Sequence, residues 1–215
     1  MKYLLNVLLL TFVLLFTSCS SKNEIDINKN IKSFSLDKNI TIVRPAKTIS
    51  SPISVGLGVG GQIARFVGIG IGTSIRPSIS NDKALVLQKS LALHNVSLSN
   101  LIKDEFTSLM TNDEIYKDKF VSFGSEYTIH LLVAKSIIQT PVFSSKAQIQ
   151  MQIQIKILNR NGESVYDDIA ENSLEDENYI YEKSMILNNA KILETSVLKA
   201  VNLTLAQLIK QMKKN

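Results

Sequence analysis

From Lys146 to Ile157 apolar and polar positions alternate almost without interruption. Ala147, Ile149, Met151, Ile153, Ile155 and Ile157 fall on one side, and Gln148, Gln150, Gln152, Gln154 and Lys156 on the other. A two-residue period predicts a β-strand with one buried face and one wet face, as in an antiparallel sheet covered on one side. Two strands should flank it. Tyr127, Ile129, Leu131 and Val133 mark one face of a strand reaching about Ile138, with Pro141 at the following turn. Asn161-Gly162 has the chemistry of a tight hairpin turn, so Val165 to Ala170 is expected to return alongside. Ile40-Thr41-Ile42-Val43, stopped by Arg44-Pro45, reads as an earlier strand. Leu85, Leu87, Leu91 and Leu93, alternating with Val86, Gln88, Ser90, Ala92 and His94, predict another.

Helical spacing appears in two places. Ser97 can cap a helix running to about Met110, with Leu98, Leu101, Ile102, Phe106, Leu109 and Met110 as its apolar stripe and Asn112-Asp113 as its end. After the acidic stretch Glu171 to Glu177, Ile186, Ala190, Leu193, Val197, Val201, Leu205, Leu208 and Met212 recur at spacings of three and four. They predict one long helix from about Lys183 to Met212 that covers the buried sheet face; a stripe serving a coiled-coil partner is the alternative. The expected fold class is α+β: an antiparallel or mixed β-sheet with two helices packed on one face.

Residues 55–75 stand apart. Val55-Gly56-Leu57-Gly58-Val59-Gly60 and Val67-Gly68-Ile69-Gly70-Ile71-Gly72 alternate glycine with branched apolar residues. The strand period predicts a Gly-rich β-hairpin with one bare face, suited to close backbone approach. A mobile loop is a second reading. A helical stripe of small residues (Gly56, Gly60, Ala64, Gly68, Gly72) is a third, opposed by the helix cost of so many glycines. Gly56, Gly58 and Gly61 satisfy G-x-G-x-x-G, but no βαβ pattern surrounds them.

The chain begins with Met1-Lys2, an apolar run from Tyr3 to Phe16, and Thr17-Ser18-Cys19, after which hydrophobicity stops at Ser20-Ser21-Lys22-Asn23. A basic start, a short apolar segment and small residues form the export-signal pattern, and the run is shorter than the ~20 residues of a spanning helix. Cys19 is the chain's one cysteine, so a disulfide within the chain is excluded. Residues 20–33 are polar and read as a tether reaching at most ~50 Å. The domain boundaries expected are thus 1–18 as a cleaved signal, 19–33 as anchor and tether, and 34–215 as one α+β domain, large enough at about 180 residues to bury a core.

The net charge of +5 is mild and spread; Lys210, Lys213 and Lys214 complement a helix end. No interleaving of basic and aromatic residues points to nucleic acid. Only His94 and His130 are present, both read as strand residues without metal-ligand companions, and Asp167, Asp168, Glu171, Glu175, Asp176 and Glu177 lack calcium-loop spacing. The G-x-S-x-G and H-E-x-x-H patterns do not occur, so no catalytic residue, cofactor or metal is expected and the chain reads as a non-enzyme. The glutamine face reads as the outer side of a sheet, with recognition of a glycan or peptide through its amides as the alternative.

The segment Leu14 to Cys19 resembles the lipobox of bacterial lipoproteins, which implies cleavage after Ser18 and acyl chains on Cys19. The succession of lipobox, polar tether, early strand, helix, strand meander and C-terminal helix resembles small Gram-negative outer-membrane lipoproteins of the YajG type, and more distantly LptE-like and LpoB-like accessory lipoproteins. The resemblance implies a lipid-anchored protein of the cell envelope facing the periplasm. Ser20 after the cysteine implies transfer to the outer membrane. Asp37-Lys38-Asn39-Ile40-Thr41 resembles the extended bacterial N-glycosylation sequon, which makes Asn39 a candidate sugar acceptor. Two roles are expected to compete: an accessory or scaffold that contacts an envelope protein through a sheet edge, a helix face or the glycine segment (Gly56, Gly58, Gly60, Gly68, Gly70, Gly72), and a module binding lipid, lipopolysaccharide or glycan between sheet and helices.

Overall fold

A computed structural model describes residues 26–43, 81–140, 144–172 and 181–214. In chain order the elements are α1 (Ile27–Asn30), β1 (Phe34–Leu36), β2 (Thr41–Ile42), α2 (Asn81–Leu93), α3 (Leu98–Asn112), β3 (Tyr127–Gln139), β4 (Lys146–Asn159), β5 (Ser164–Glu171), β6 (Tyr181–Glu182), α4 (Lys183–Asn188) and α5 (Ala190–Met212). The architecture is α+β, a mixed six-stranded sheet with helices packed against it.

The three central strands lie where alternation places them. β3 and β4 pair antiparallel from Tyr127↔Asn159 to Gln139↔Gln148, and β4 and β5 pair antiparallel from Gln152↔Glu171 onward. Gly162 closes the hairpin at φ +81°, a conformation that favours glycine, while Asn159 Oδ1 accepts from the backbone N–H groups of Asn161 and Glu163. A bulge between Val133 and Lys135 shifts the register of β3. Core-facing residues therefore change from odd (Ile129, Leu131, Val133) to even (Ser136, Ile138) along one strand, as one extra residue demands. β1 and β2 add in parallel to the outer side of β3, Phe34↔Tyr127 and Thr41↔Leu132, which makes the sheet mixed.

The space between sheet and helices is filled. Met151, Ile153 and Ile155 of β4 and Val197, Val201, Leu205 and Leu208 of α5 are all fully buried in one cluster with Ile102, Phe106 and Met110 of α3. By length and composition α5 could cross a membrane, but half of its apolar window is buried inside the protein and Lys191, Glu194 and Lys210 occupy its outer side. It is a core helix.

Four expectations are corrected. Residues 85–93 lie in helix α2 and His94 in the turn after it, not in a strand. The buried positions are Ala84, Leu87, Ser90 and Leu91, a helical spacing, whereas Leu85, Val86 and Leu93 are exposed. The long C-terminal helix is two, because Asn189 is extended (φ −122°, ψ 112°) and its side chain caps α5 by accepting from Ile192 N–H. The polar tether is shorter than residues 20–33: Ile27 and Ile31 are buried in the core, so the folded body already includes Asp26. The second face of β4 is not wet either, since Lys156 is only 8% exposed and Gln148 and Gln154 are similarly covered. The Gly-rich segment 55–75, Ser18 and Cys19 lie outside the described residues.

Candidate functional site

The polar face of the sheet carries charges in rows, each row fixed by strand register. His130 of β3 stands opposite Lys156 of β4, which stands opposite Asp167 of β5. Asp37, just past β1, completes the row: its Oδ2 is 2.8 Å from His130 Nδ1, and its backbone N–H donates to Ile129 O. At the other end Lys156 Nζ lies 3.3 Å from Asp167 Oδ2, and Gln154 Nε2 donates to Asp167 Oδ1 at 2.5 Å. A second row runs Lys135, Gln152, Glu171, with Lys135 Nζ reaching across to Glu171 at 2.8 Å.

Both rows are half-buried and pair opposite signs, so they brace four strands rather than build a field of one sign. Burial pushes the His130 pKa below the ordinary imidazole value, although Asp37 pulls it upward. Among the described residues no group of three or more His, Cys, Asp or Glu side chains is placed to hold a metal ion. A shallow, open depression between Glu126, Tyr127, Asn159, Arg160 and Asn161 lies beside the hairpin.

The second feature is the junction where the N-terminus enters the body. Asn28 is its hub. Its Nδ2 donates to Lys213 O at the end of α5, its Oδ1 accepts from Tyr116 Oη at 3.0 Å, and its carbonyl accepts from Lys119 Nζ. Lys213 Nζ also pairs with Asp113 Oδ2, and Asp26 caps α1 through Asn28 and Lys29 N–H. Tyr116 is fully buried against Phe34, with ring centroids 5.6 Å apart, and Phe34 also meets Phe120. Burial, with the nearby Asp113 and Asp26 charges, pushes the Tyr116 phenol well above its ordinary pKa, so it acts as a neutral donor. Hydrogen bonding to Lys29 holds the Asp26 carboxyl below its usual value.

The third feature is an edge. β5 bonds to β4 along one side, and among the described residues no strand pairs with its other side. Asn172 N–H donates to Met151 O, which sets the alternation so that Ala170 and Asp168 bond inward while Asp167, Ile169 and Glu171 turn their backbone groups outward. The Ile169 N–H on that side is taken by its neighbour's carboxylate, Asp168 Oδ1, at 2.7 Å, and Tyr166 Oη holds the other Asp168 oxygen.

The sequence-selected residues are distributed unevenly over these features. Asn39 is exposed in the short link between β1 and β2, its N–H donating to Asp37 Oδ1 at 3.0 Å. Its sequon partners are held by the sheet, Asp37 by His130 and Thr41 in β2 beside Leu132. His130 is where alternation puts it, whereas His94 sits in the turn just past α2 with its Nε2 2.9 Å from Leu187 O. Asp167 lies in the expected returning strand and belongs to a charged row. The Asn28 hub was not singled out, because its contacts come from residues 88 to 185 positions away.

Comparison with known proteins leaves the assignment to the residues. No family model matches the chain, and no curated protein does. Solved structures give distant likenesses. Protein XCC0632 of Xanthomonas campestris is 10% identical over 54% of this chain and 66% of its own, with a TM-score of 0.37. A minor lipoprotein of Acinetobacter baumannii is 10% identical over 54% of this chain and 86% of its own, TM-score 0.36. A PelC dodecamer of Paraburkholderia phytofirmans is 8% identical over 80% of this chain and 84% of its own, TM-score 0.30.

Proposed function

We propose that the chain is a bacterial lipoprotein, cleaved after Ser18 and acylated on Cys19, that serves as a non-enzymatic accessory or scaffold of an envelope complex at the outer membrane. The anchor reading rests on the tripartite N-terminus and its lipobox-like end. More than one acyl chain on the cysteine makes attachment stable.

The observation that carries the interaction role is the β5 edge. It offers a row of outward backbone groups to a partner strand, the strand-addition mode of recognition. Asp168 blocks one of those donors and adds charge, which restrains indiscriminate strand pairing. The competing role, a lipid or glycan module between sheet and helices, needs room that buried side chains already occupy.

The test is affinity capture of the tagged, lipidated protein from cross-linked envelopes, followed by mass spectrometry. The expected result is a stoichiometric envelope protein that is lost with Glu171→Pro, a change that removes an outward N–H of the β5 edge other than the one Asp168 already holds, while thermal stability, measured alongside, is largely kept. Co-purified lipid or glycan with no protein partner would overturn the scaffold reading.

A further inference from the structure

We infer that the end of the domain built from α1, the loop 113–126 and the C-terminus of α5 faces the lipid headgroups, with Ile115 and Phe123 seated in the bilayer interface. The inference rests on the lipid-anchor reading above. Its first ground is chain length. Only residues 20–25 separate Cys19 from Asp26, a reach of at most ~25 Å. β4 alone spans roughly 45 Å at ~3.3 Å per residue. The point where the chain enters the body is therefore held near the bilayer, and that point is the Asn28 hub.

The second ground is what surrounds that hub. Asn28 is bonded to Lys213, Tyr116 and Lys119, so α1, the loop and the end of α5 share one end of the molecule. The loop is pinned from below. Tyr116 and Phe120 pack on Phe34, Val121 N–H donates to Phe34 O, and the Ser125 and Ser35 hydroxyls are 2.8 Å apart. Between those two attachments Phe123 projects with 86% of its surface exposed, next to Gly124 at φ +75°, and Ile115 is 41% exposed on the same loop. A rigid platform that buries two aromatic rings and presents two apolar tips suits insertion into an interface, where such side chains gain apolar contact at little ordering cost.

The third ground is charge. Lys29, Lys32, Lys117 and Lys214 are exposed around the same end, interspersed with Glu114, Asp118 and Glu126. The lysine stems can lie along the interface with their ammonium groups among the phosphates. The near balance of signs directs the tips, more than net charge, to set the depth.

The experiment uses the full lipidated protein reconstituted in vesicles of phosphatidylethanolamine with a minor share of phosphatidylglycerol. Acylated Cys19 leaves an introduced thiol as the single labelling site. An environment-sensitive fluorophore is placed through Phe123→Cys, with Ile115→Cys as a second reporter. Leu93→Cys serves as the far-end control, since α2 ends beside α4, which follows the strand pairing with the start of β4. The expected result is blue-shifted emission at 123 and 115, quenched several-fold more strongly by headgroup spin-labelled lipid than at 93. Equal, water-like signals at all three sites on protein that floats with the vesicles would overturn the orientation and leave the anchor standing. Protein that does not float would overturn both. Burial of the 123 reporter only in native envelopes, without quenching by lipid, would assign this end to a protein partner and overturn the lipid contact.

Discussion

Ile31→Ala tests whether the polar-looking segment after the anchor is part of the folded body. Ile31 is 1% exposed and packs in the main cluster with Ile27, Phe34 and the helix α5 side chains. The substitution removes three carbons, about 2.4 kcal/mol at ~0.8 kcal/mol each. The cavity left behind adds to this, giving about 3–4 kcal/mol. At 2–4 °C per kcal/mol for a domain of this size, the thermal midpoint should fall by about 6–16 °C. The assay is urea and thermal unfolding of the unlipidated Cys19→Ser body, followed by far-UV circular dichroism, with exposed Lys32→Ala as control. A change below about 0.5 kcal/mol for Ile31→Ala, the level of an ordinary surface substitution, would refute the claim that the body includes α1.

Three further outcomes follow from the geometry. Because burial lowers the His130 pKa in the folded protein, its neutral form contributes stability above about pH 6.5 that is lost as pH falls through the folded value, so His130→Gln should flatten the decline of stability on acidification, read by urea midpoints at stepped pH. Asn172→Ala should cost about 3 kcal/mol in the same assay, because buried Asn172 accepts from Met151 N–H and donates to Ile149 O, and both backbone groups lose their partner. Asn189→Ala should cost about 1 kcal/mol by removing the α5 cap, and should slow no other step measurable by mixing kinetics than those involving the C-terminal helix.

Much of the sheet was legible because one face of β4 meets the helices with apolar side chains while the other carries polar and charged ones, which imprints a two-residue period even though both faces are largely covered. The charged row was legible in part. Counting outward from the Asn161-Gly162 turn places Lys156 opposite Asp167, as observed. Its other half was not, since Asp37 reaches His130 through a parallel pairing that no local pattern encodes. Helix α2 was misread because Leu85 and Leu93 are exposed yet apolar, and they complete a false alternation with Leu87 and Leu91. Ala84, Leu87 and Leu91 carry the true spacing. The break at Asn189 had a local sign in the Asn188-Asn189 pair, which favours caps over helix interiors. The tether was overdrawn because Ile27 and Ile31 sit among Asp, Asn and Lys residues, and four-residue spacing in one turn is too short a signal to read.

The central claim is attachment through Cys19 to a membrane. Intact and N-terminal peptide mass spectrometry of protein extracted from membranes tests it directly, beside fractionation of Cys19→Ser. The account predicts a mature chain beginning at Cys19 and carrying acyl chains, with the serine variant free of them and released from the membrane fraction once processed. A mature chain beginning elsewhere, or an unmodified Cys19 on protein that still fractionates with membranes, would contradict it.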